Sequence, residues 1–585
     1  MVKKYKNMKL NNNKILVILA LSLSVFGCSD FLEDPIQYTG EEEVISSGTR
    51  SRGIIDDIYT DYSFKYFEDF SVEYLTDNGV LNSGETELAT GYWGPTSNPY
   101  NYVWKQSYNN IRQVYQYIEL VHETGLPYYP AVGDATLNEN ILNRYYGEAF
   151  FLKAWAEWEL LKTFGGLSTD GQMLGFPIVN GILEDEAYAL LKRNTYDECV
   201  TQINADLDVA IEYLPLIYTG QGTVNPGLNA VEVGRASGLA AYALKAKVAL
   251  MAASPAFNPA NDKAKWELAA KYAQEVIVKN GGLKDLKAFN FSSENNTDDI
   301  WRLRNNRQDN SLEKRLYPPT LYGQGEVNPS QNLIDAFPDS KGYPITNAAS
   351  VFDVTNPYAS RDARFYKFVF YNGDQCLVSG TCSDYNPLEI YEGGKDTFGG
   401  FIPNEGTRTG YYLKKFLSKL DFDPSSVDAT TTLPKVYVQL GLTEVYLSYA
   451  EAVNEAFGQP TVVPAGFNFS AKDVLAKVRK RAGLSSDPYL NSAAANSVDF
   501  SKLVKNERRI ELCFTGERFH DLRRWKEIVN TENVKGVKVI KNPDATFSYQ
   551  NIVVEKRAYQ AKSYYLPLPY TELLLNTNLK QNQGW

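Results

Sequence analysis

Helical periodicity fills two separated blocks of this chain, and a Gly/Asn/Pro/Tyr-rich stretch lies between them. That alternation constrains the fold more than any other feature. The first block runs from about residue 50 to 282 and the second from about 431 to 585. Within the first, residues 147–164 set Phe151, Trp155, Trp158 and Leu161 at helix-neighbour spacing, and Gly165-Gly166 ends the run. Trp104, Tyr108, Ile111 and Tyr115 share that spacing and read as core. Further helices are predicted over 195–214, stopped by Pro215, over 234–253, stopped by Ser254-Pro255, and over 263–278, stopped by Gly281-Gly282. Ala236, Ala240, Ala243 and Ala246 permit close packing, and the short connections predict tetratricopeptide-type helix pairs with a degenerate repeat.

Between the blocks, residues 283–430 carry Tyr317-Pro-Pro, Gly323-Gln-Gly325, Asn356-Pro357, Gly393-Gly394 and Gly399-Gly400, so turns and short strands are expected there. Trp301, in Asp-Ile-Trp-Arg-Leu, reads as a strand residue packed on the scaffold. The second block predicts helices over 436–457, 471–482, 500–514 and 517–529, then a short strand, a turn and an extended tail in the last twenty residues. The fold class is therefore mostly α, with an irregular, loop-rich lobe set into a helical scaffold.

The N-terminus is not part of that fold. Lys3, Lys4, Lys6, Lys9 and Lys14 precede an apolar run over 15–26, which is shorter than the roughly 20 residues a membrane span needs and reads as an export signal. Gly27-Cys28 at its end resembles a bacterial lipobox, which implies cleavage after residue 27, lipidation of Cys28 and a tether over 28–49. Removing residues 1–27 leaves 54 basic against 70 acidic residues, a net charge of −16. With no basic stripe to offset that field, nucleic acid is excluded as a partner, and neutral ligands are favoured over polyanions.

Catalytic chemistry has few residues to draw on. The chain has two histidines, His122 and His520, so a multi-histidine zinc site is excluded. It contains no Gly-x-Ser-x-Gly elbow, P-loop or dinucleotide fingerprint, and no carboxylate pair stands out for glycoside hydrolysis. No cofactor and no metal are expected, and the chain reads as a binding protein. Cys199 and Cys513 lie in apolar helical patterns, whereas Cys376 and Cys382 lie in a polar loop and are candidates for a local disulfide.

A binding site for a neutral ligand needs exposed aromatic platforms with amide or carboxylate groups beside them. Trp93, in Gly91-Tyr92-Trp93-Gly94-Pro95, sits between glycines and is read either as a ligand contact or as loop packing. Tyr92, Asp77 and Asn78 in Asp77-Asn78-Gly79, and Tyr317 and Tyr322 complete the candidate set. They form one surface only if the fold brings the loops near 77–100 and 317–325 together.

An ordered set of segments then carries a resemblance. It includes Cys28-Ser-Asp-Phe-Leu-Glu33, Ala253-Ser-Pro-Ala-Phe-Asn258, Asn328-Pro-Ser-Gln-Asn332, Asn356-Pro-Tyr-Ala-Ser-Arg-Asp362, Leu442 to Asn454, Glu507-Arg-Arg-Ile-Glu511 and Gly516-Glu-Arg-Phe-His-Asp-Leu-Arg-Arg-Trp525. Over nearly the whole mature length the chain resembles the SusD/RagB family of lipid-anchored outer-membrane proteins from Bacteroides-type bacteria. The resemblance implies a SusD-like fold on the cell surface that binds oligosaccharide and hands it to a TonB-dependent SusC-like barrel. Peptide or glycoprotein fragments are the alternative cargo; a surface hydrolase and a purely structural assembly are readings from other classes. The shared motifs read as scaffold: Leu442, Val445, Tyr449 and Val453 form an apolar stripe, and Glu507 and Glu511 are expected to lock helix ends and the returning tail. They do not locate the ligand contacts.

Overall fold

The computed structural model describes residues 48–64, 73–84, 93–122, 135–183, 185–218, 234–289, 296–304, 311–375, 385–417, 436–531 and 533–585. Cys28, Tyr92, Cys376 and Cys382 lie outside the described residues. The first helical block contains α1 (Gly48–Phe64), α2 (Asn101–Tyr117), α3 (Ala135–Phe164), α4 (Tyr196–Tyr213), α5 (Gly238–Ala253) and α6 (Lys263–Lys279). The second contains α7 (Leu442–Phe457), α8 (Ala471–Arg481), α9 (Ser497–Glu511) and α10 (Glu517–Arg524).

Successive helices α2 to α8 pack against one another, and the step from α6 to α7 joins the two blocks. The scaffold is thus one stack, opened in sequence by the irregular lobe. Helix α5 is buried almost all round because α4, α6 and α7 all pack on it, and its alanines let them approach. Local signals set the boundaries. Thr195 and Glu198 form a capping box on α4, Asp262 caps α6, and Ser470 caps α8. Ser237 accepts from the Ala240 amide, so α5 starts at Gly238 and not at residue 234.

Residues 436–441 depart from the expected helix. They form β4 (Val436–Gly441), paired antiparallel with β2 (Asp299–Arg304), and the helical stripe starts only at Leu442. Valine and tyrosine at 436–438 favour the pleated conformation, and Gly441 then serves as the N-cap of α7. Trp301 on β2 is buried as expected, edge to face with Phe151 and Trp155, and its Nε1 donates to the Gly234 carbonyl at 2.9 Å. Helix α9 begins at Ser497 because Asn496 caps it, and α10 ends at Arg524 where Lys526 takes a positive φ. A hairpin not anticipated from sequence, β5 (Val534–Lys541) with β6 (Phe547–Glu555), follows. The last twenty residues contain a short helix, Tyr570–Leu575, in place of the expected strand; Asn582 then anchors the tail by donating to the Phe164 and Leu566 carbonyls.

The lobe has its own apolar clusters, one around Leu333, Phe337, Phe365 and Tyr411 and a smaller one around Tyr317, Leu321, Phe370 and Tyr412. Buried charges clamp it to the scaffold. Arg364 bonds Asp362, Glu507 and Glu511 at 2.6–2.8 Å, Arg479 bonds Glu507 and Asp487, and Arg481 bonds Glu511 at 2.5 Å. Glu507 and Glu511 therefore hold the lobe, not the tail, because two arginines at least 26 positions upstream of them, and Arg364 far earlier, converge on that face of α9.

Candidate ligand-binding site

The turn at 317–325 is fixed from both sides. Tyr317 and Leu321 are buried in the small lobe cluster, and Pro318-Pro319 leads into a single 3-10 turn over Pro319–Leu321. Tyr322 follows in the left-handed region, at φ 60° and ψ 24°. Such a conformation is costly for a tyrosine and is held by its surroundings. A Cβ on Gly323 would lie 2.2 Å from the Tyr317 carbonyl oxygen, and one on Gly325, at φ +59°, would lie 2.3 Å from the Tyr412 ring. With both flanks pressed inward, the Tyr322 ring points out and is 54% exposed.

A second loop meets it. Phe401 is 49% exposed and stands edge to face with Tyr322, ring centroids 6.1 Å apart. Phe398 on the same loop is 53% exposed. Buried Asp396 ties the loops together: Oδ1 accepts from the Thr320 amide at 2.9 Å, Oδ2 from the Glu389 amide at 3.0 Å, and its carbonyl from the Tyr412 hydroxyl at 2.5 Å. Burial raises the Asp396 carboxyl above its ordinary value, since those amides only partly offset the lost hydration. A third strand of chain closes the arrangement. β1 (Gly79–Leu81) pairs with β3 (Val327–Pro329), and Asn82 beyond it donates to the Gln324 carbonyl at 2.8 Å and to Glu405 Oε2 at 3.2 Å. The surface therefore offers apolar ring faces and edges beside an exposed Gln324 and a half-buried Glu405.

The loops near 77–84 and 317–329 do converge, but most of the candidates face inward. Asp77 is buried between Arg509 Nη2, 2.9 Å from Oδ2, and Arg518 Nε, 3.1 Å from Oδ1. Burial alone would raise its carboxyl; the two guanidiniums outweigh that and hold it well below the usual carboxylate range. Asn78 donates to Glu73 Oε2 and accepts from Arg509 Nε, both at 2.9 Å, with no exposed surface. The Tyr317 ring belongs to the lobe cluster. Trp93 leaves this region altogether: it is 7% exposed and packs on Trp585 at 4.9 Å, where the Pro95 carbonyl accepts from the Tyr570 amide. These four positions are structural in this conformation, which corrects their expected display to a ligand. Tyr322 is the one sequence candidate at the surface among the described residues. Phe398, Phe401, Asn82 and Glu405 lie outside the sequence candidates, although Gly399-Gly400 between the two phenylalanines repeats the glycine-beside-aromatic pattern of Trp93.

His520 lies buried in α10, where lost hydration and nearby cations hold its imidazole neutral, and His122 stacks on Tyr146 at 3.8 Å. Neither belongs to the Tyr322 surface. No cluster of His, Cys, Asp and Glu suited to a metal occurs among the described residues.

Comparison with known proteins sets this geometry in context. The SusD family model matches residues 275–585, more than half of the chain. The chain belongs to the SusD family. A second model, described as starch-binding associating with outer membrane, matches residues 38–250 of this SusD-family protein. SusD-like protein P2 of Formosa agariphila is 23% identical over 602 residues, covering 99% of each chain. A SusD-like protein from Bacteroides fragilis, solved by crystallography, superposes with a TM-score of 0.71 at 23% identity, over 94% of this chain and 100% of that one. A laminarin-binding SusD-like protein superposes with a TM-score of 0.57 at 20% identity, over 92% and 100% of the two chains. The family is one of carbohydrate-binding proteins associated with the outer membrane. No helix among the described residues is long and apolar enough to cross a membrane.

Proposed function

We propose that this SusD-family protein is a cell-surface lipoprotein, tethered through Cys28 and residues 28–49, that captures glycan and delivers it to a SusC-like TonB-dependent transporter. The observation that carries the proposal is the outward pair Tyr322 and Phe401, held by a turn whose backbone is strained and pinned. Two aromatic rings in an apolar, half-exposed arrangement offer stacking to the C–H face of a pyranose, and Gln324 and Glu405 offer hydroxyl partners beside them. Such recognition needs neither catalysis nor a cofactor.

Calorimetric titration of the purified protein with a panel of neutral polysaccharides tests the proposal. Laminarin belongs in that panel because a structural neighbour binds it. Saturable binding without release of shorter sugars supports capture for transport. Co-purification of a barrel protein from the outer membrane tests the delivery step.

A further inference from the structure

The β5–β6 hairpin is held from one side only. The Val537 amide donates to the Thr409 carbonyl and the Val539 carbonyl accepts from the Glu392 amide, both at 2.8 Å, so β5 is bonded to the lobe. β6 pairs with β5 alone, in a two-stranded sheet. Opposed residues of an antiparallel ladder alternate between exchanging both backbone bonds and turning them away from each other. Val537 and Val539 turn theirs toward the lobe, so their partners Asn551 and Tyr549 turn theirs the opposite way, to the outer edge. The same alternation along the register adds Phe547 and Val553. The outward N–H and C=O groups of these four residues have no hydrogen-bond partner among the described residues. They recur at every second residue over about 20 Å of strand.

Edge strands are commonly blunted by lysine, proline or a bulge. β6 is not: its first eight residues, Phe547-Ser-Tyr-Gln-Asn-Ile-Val-Val554, contain no charge, no proline and no glycine, and its irregularity comes only after Val553. Asn551 and Val553 are exposed, Val553 at 57%. Charge decides what fits there. The whole chain carries −11, yet residues 534–557 hold five basic residues against two acidic ones. Both acids are engaged: Glu555 is buried and bonded by Arg557 and, at 3.2 Å, by Arg408, and Asp544 accepts from the Thr546 amide at 3.0 Å in the hairpin turn. Lys541 and Lys556, one at either end of β6, are exposed and form no ion pair among the described residues. A second copy of the hairpin would bring like charges together, whereas an anionic strand would not.

We propose that the outer edge of β6 is a docking site for a protein partner that adds an extended, acid-rich segment as a third strand. Backbone bonds to Phe547, Tyr549, Asn551 and Val553 supply the affinity, and the two lysines select Asp or Glu at the ends of the added strand. None of the Tyr322 platform takes part, so the proposal stands or falls apart from the glycan reading.

The test is fluorescence anisotropy of the purified protein with a labelled peptide that alternates valine with glutamate. Two control peptides replace glutamate by lysine or carry N-methyl groups on the backbone amides. Saturable binding of the acidic peptide, at least tenfold tighter than either control and weakened by salt, is the expected result, with slowed amide hydrogen exchange over 547–553. Asn551→Pro deletes an outward N–H and leaves the ladder to β5, so it weakens binding at least tenfold at an unchanged melting temperature. Lys541→Glu/Lys556→Glu changes only exposed side chains and has the same effect, which keeps the test open if the proline variant misfolds. No binding of the acidic peptide, equal binding of a control, protection confined to another segment, or undiminished binding in the folded variants would overturn the proposal. So would a dimer in light scattering that Asn551→Pro dissociates, since the edge would then belong to a second copy.

Discussion

Tyr322 and Phe401 meet edge to face across 6.1 Å, although 79 positions separate them in the chain. Nothing local brings them together. Asp396 bridges the two loops through the Thr320 amide, Tyr412 holds the Asp396 carbonyl, and Gly325 leaves the space into which the Tyr412 ring fits. The platform is thus a product of the lobe's small core.

Tyr322→Ala removes one face of that platform without disturbing a buried group. Losing one stacked aromatic is expected to cost about 1.5–3 kcal/mol of binding, a tenfold or greater rise in Kd, with no change in melting temperature. Titration with the best glycan of the panel, paired with thermal unfolding, reads both quantities.

Gly325→Val acts on the same site from behind. Its Cβ would meet the Tyr412 ring at 2.3 Å in a left-handed conformation that valine rarely adopts. The variant is expected to weaken glycan binding at least as much as Tyr322→Ala and to be less stable, and denaturant unfolding beside titration shows whether both occur.

Trp93→Ala is expected to behave in the opposite way. The indole is buried against Trp585 and helps hold the C-terminal tail, so truncation should cost about 3–5 kcal/mol of stability. Glycan affinity of the folded protein should stay at the wild-type value. A normal unfolding midpoint with weakened binding would return Trp93 to the ligand surface.

Asp77→Asn leaves two buried arginines, Arg509 and Arg518, without their shared anion. Breaking a buried pair of this kind costs about 3–5 kcal/mol. Because the Asp77 carboxyl is held low in the folded state, its contribution is present above the ordinary aspartate range and disappears as pH falls through the folded value. The variant should therefore be most penalised near neutral pH and approach the wild type in strong acid, as urea unfolding across pH would show.

Glu73 has the reverse sign. Burial is the largest influence on it and pushes its carboxyl up to about 7, with Asn78, Lys415 and Arg518 only partly countering it. The stability it contributes is full below the ordinary glutamate value of 4.5 and is lost as pH rises through about 7, with a slope of up to about 1.4 kcal/mol per pH unit between them. Glu73→Gln should match the wild type at pH 4.5 and exceed it at pH 8 in urea unfolding. Equal stabilities at both pH values would contradict the shift.

Particular residues show what the sequence made legible. Leu442, Val445, Tyr449 and Val453 follow helical spacing and all are buried, because a helix reports its packing face in its own period. Residues 436–441 are strand where their local pattern predicts helix, because their extended form depends on pairing with Asp299–Arg304, a partner far away in the chain. The same non-locality hid the role of Asp77: an acid in an Asp-Asn-Gly turn reads as exposed, and only Arg509 and Arg518, more than 430 positions later, make its burial affordable. Tyr322 is readable from the glycines that follow it, Gly323 and Gly325, whereas its partner loop is not, since its aromatics become a platform only through Asp396.

The measurement that tests the central claim most directly is titration of the glycan panel into the wild type and a Tyr322→Ala/Phe401→Ala double variant matched in melting temperature. The account predicts saturable binding of at least one glycan by the wild type and its loss in the double variant. A double variant that binds the same glycan with wild-type affinity would contradict it.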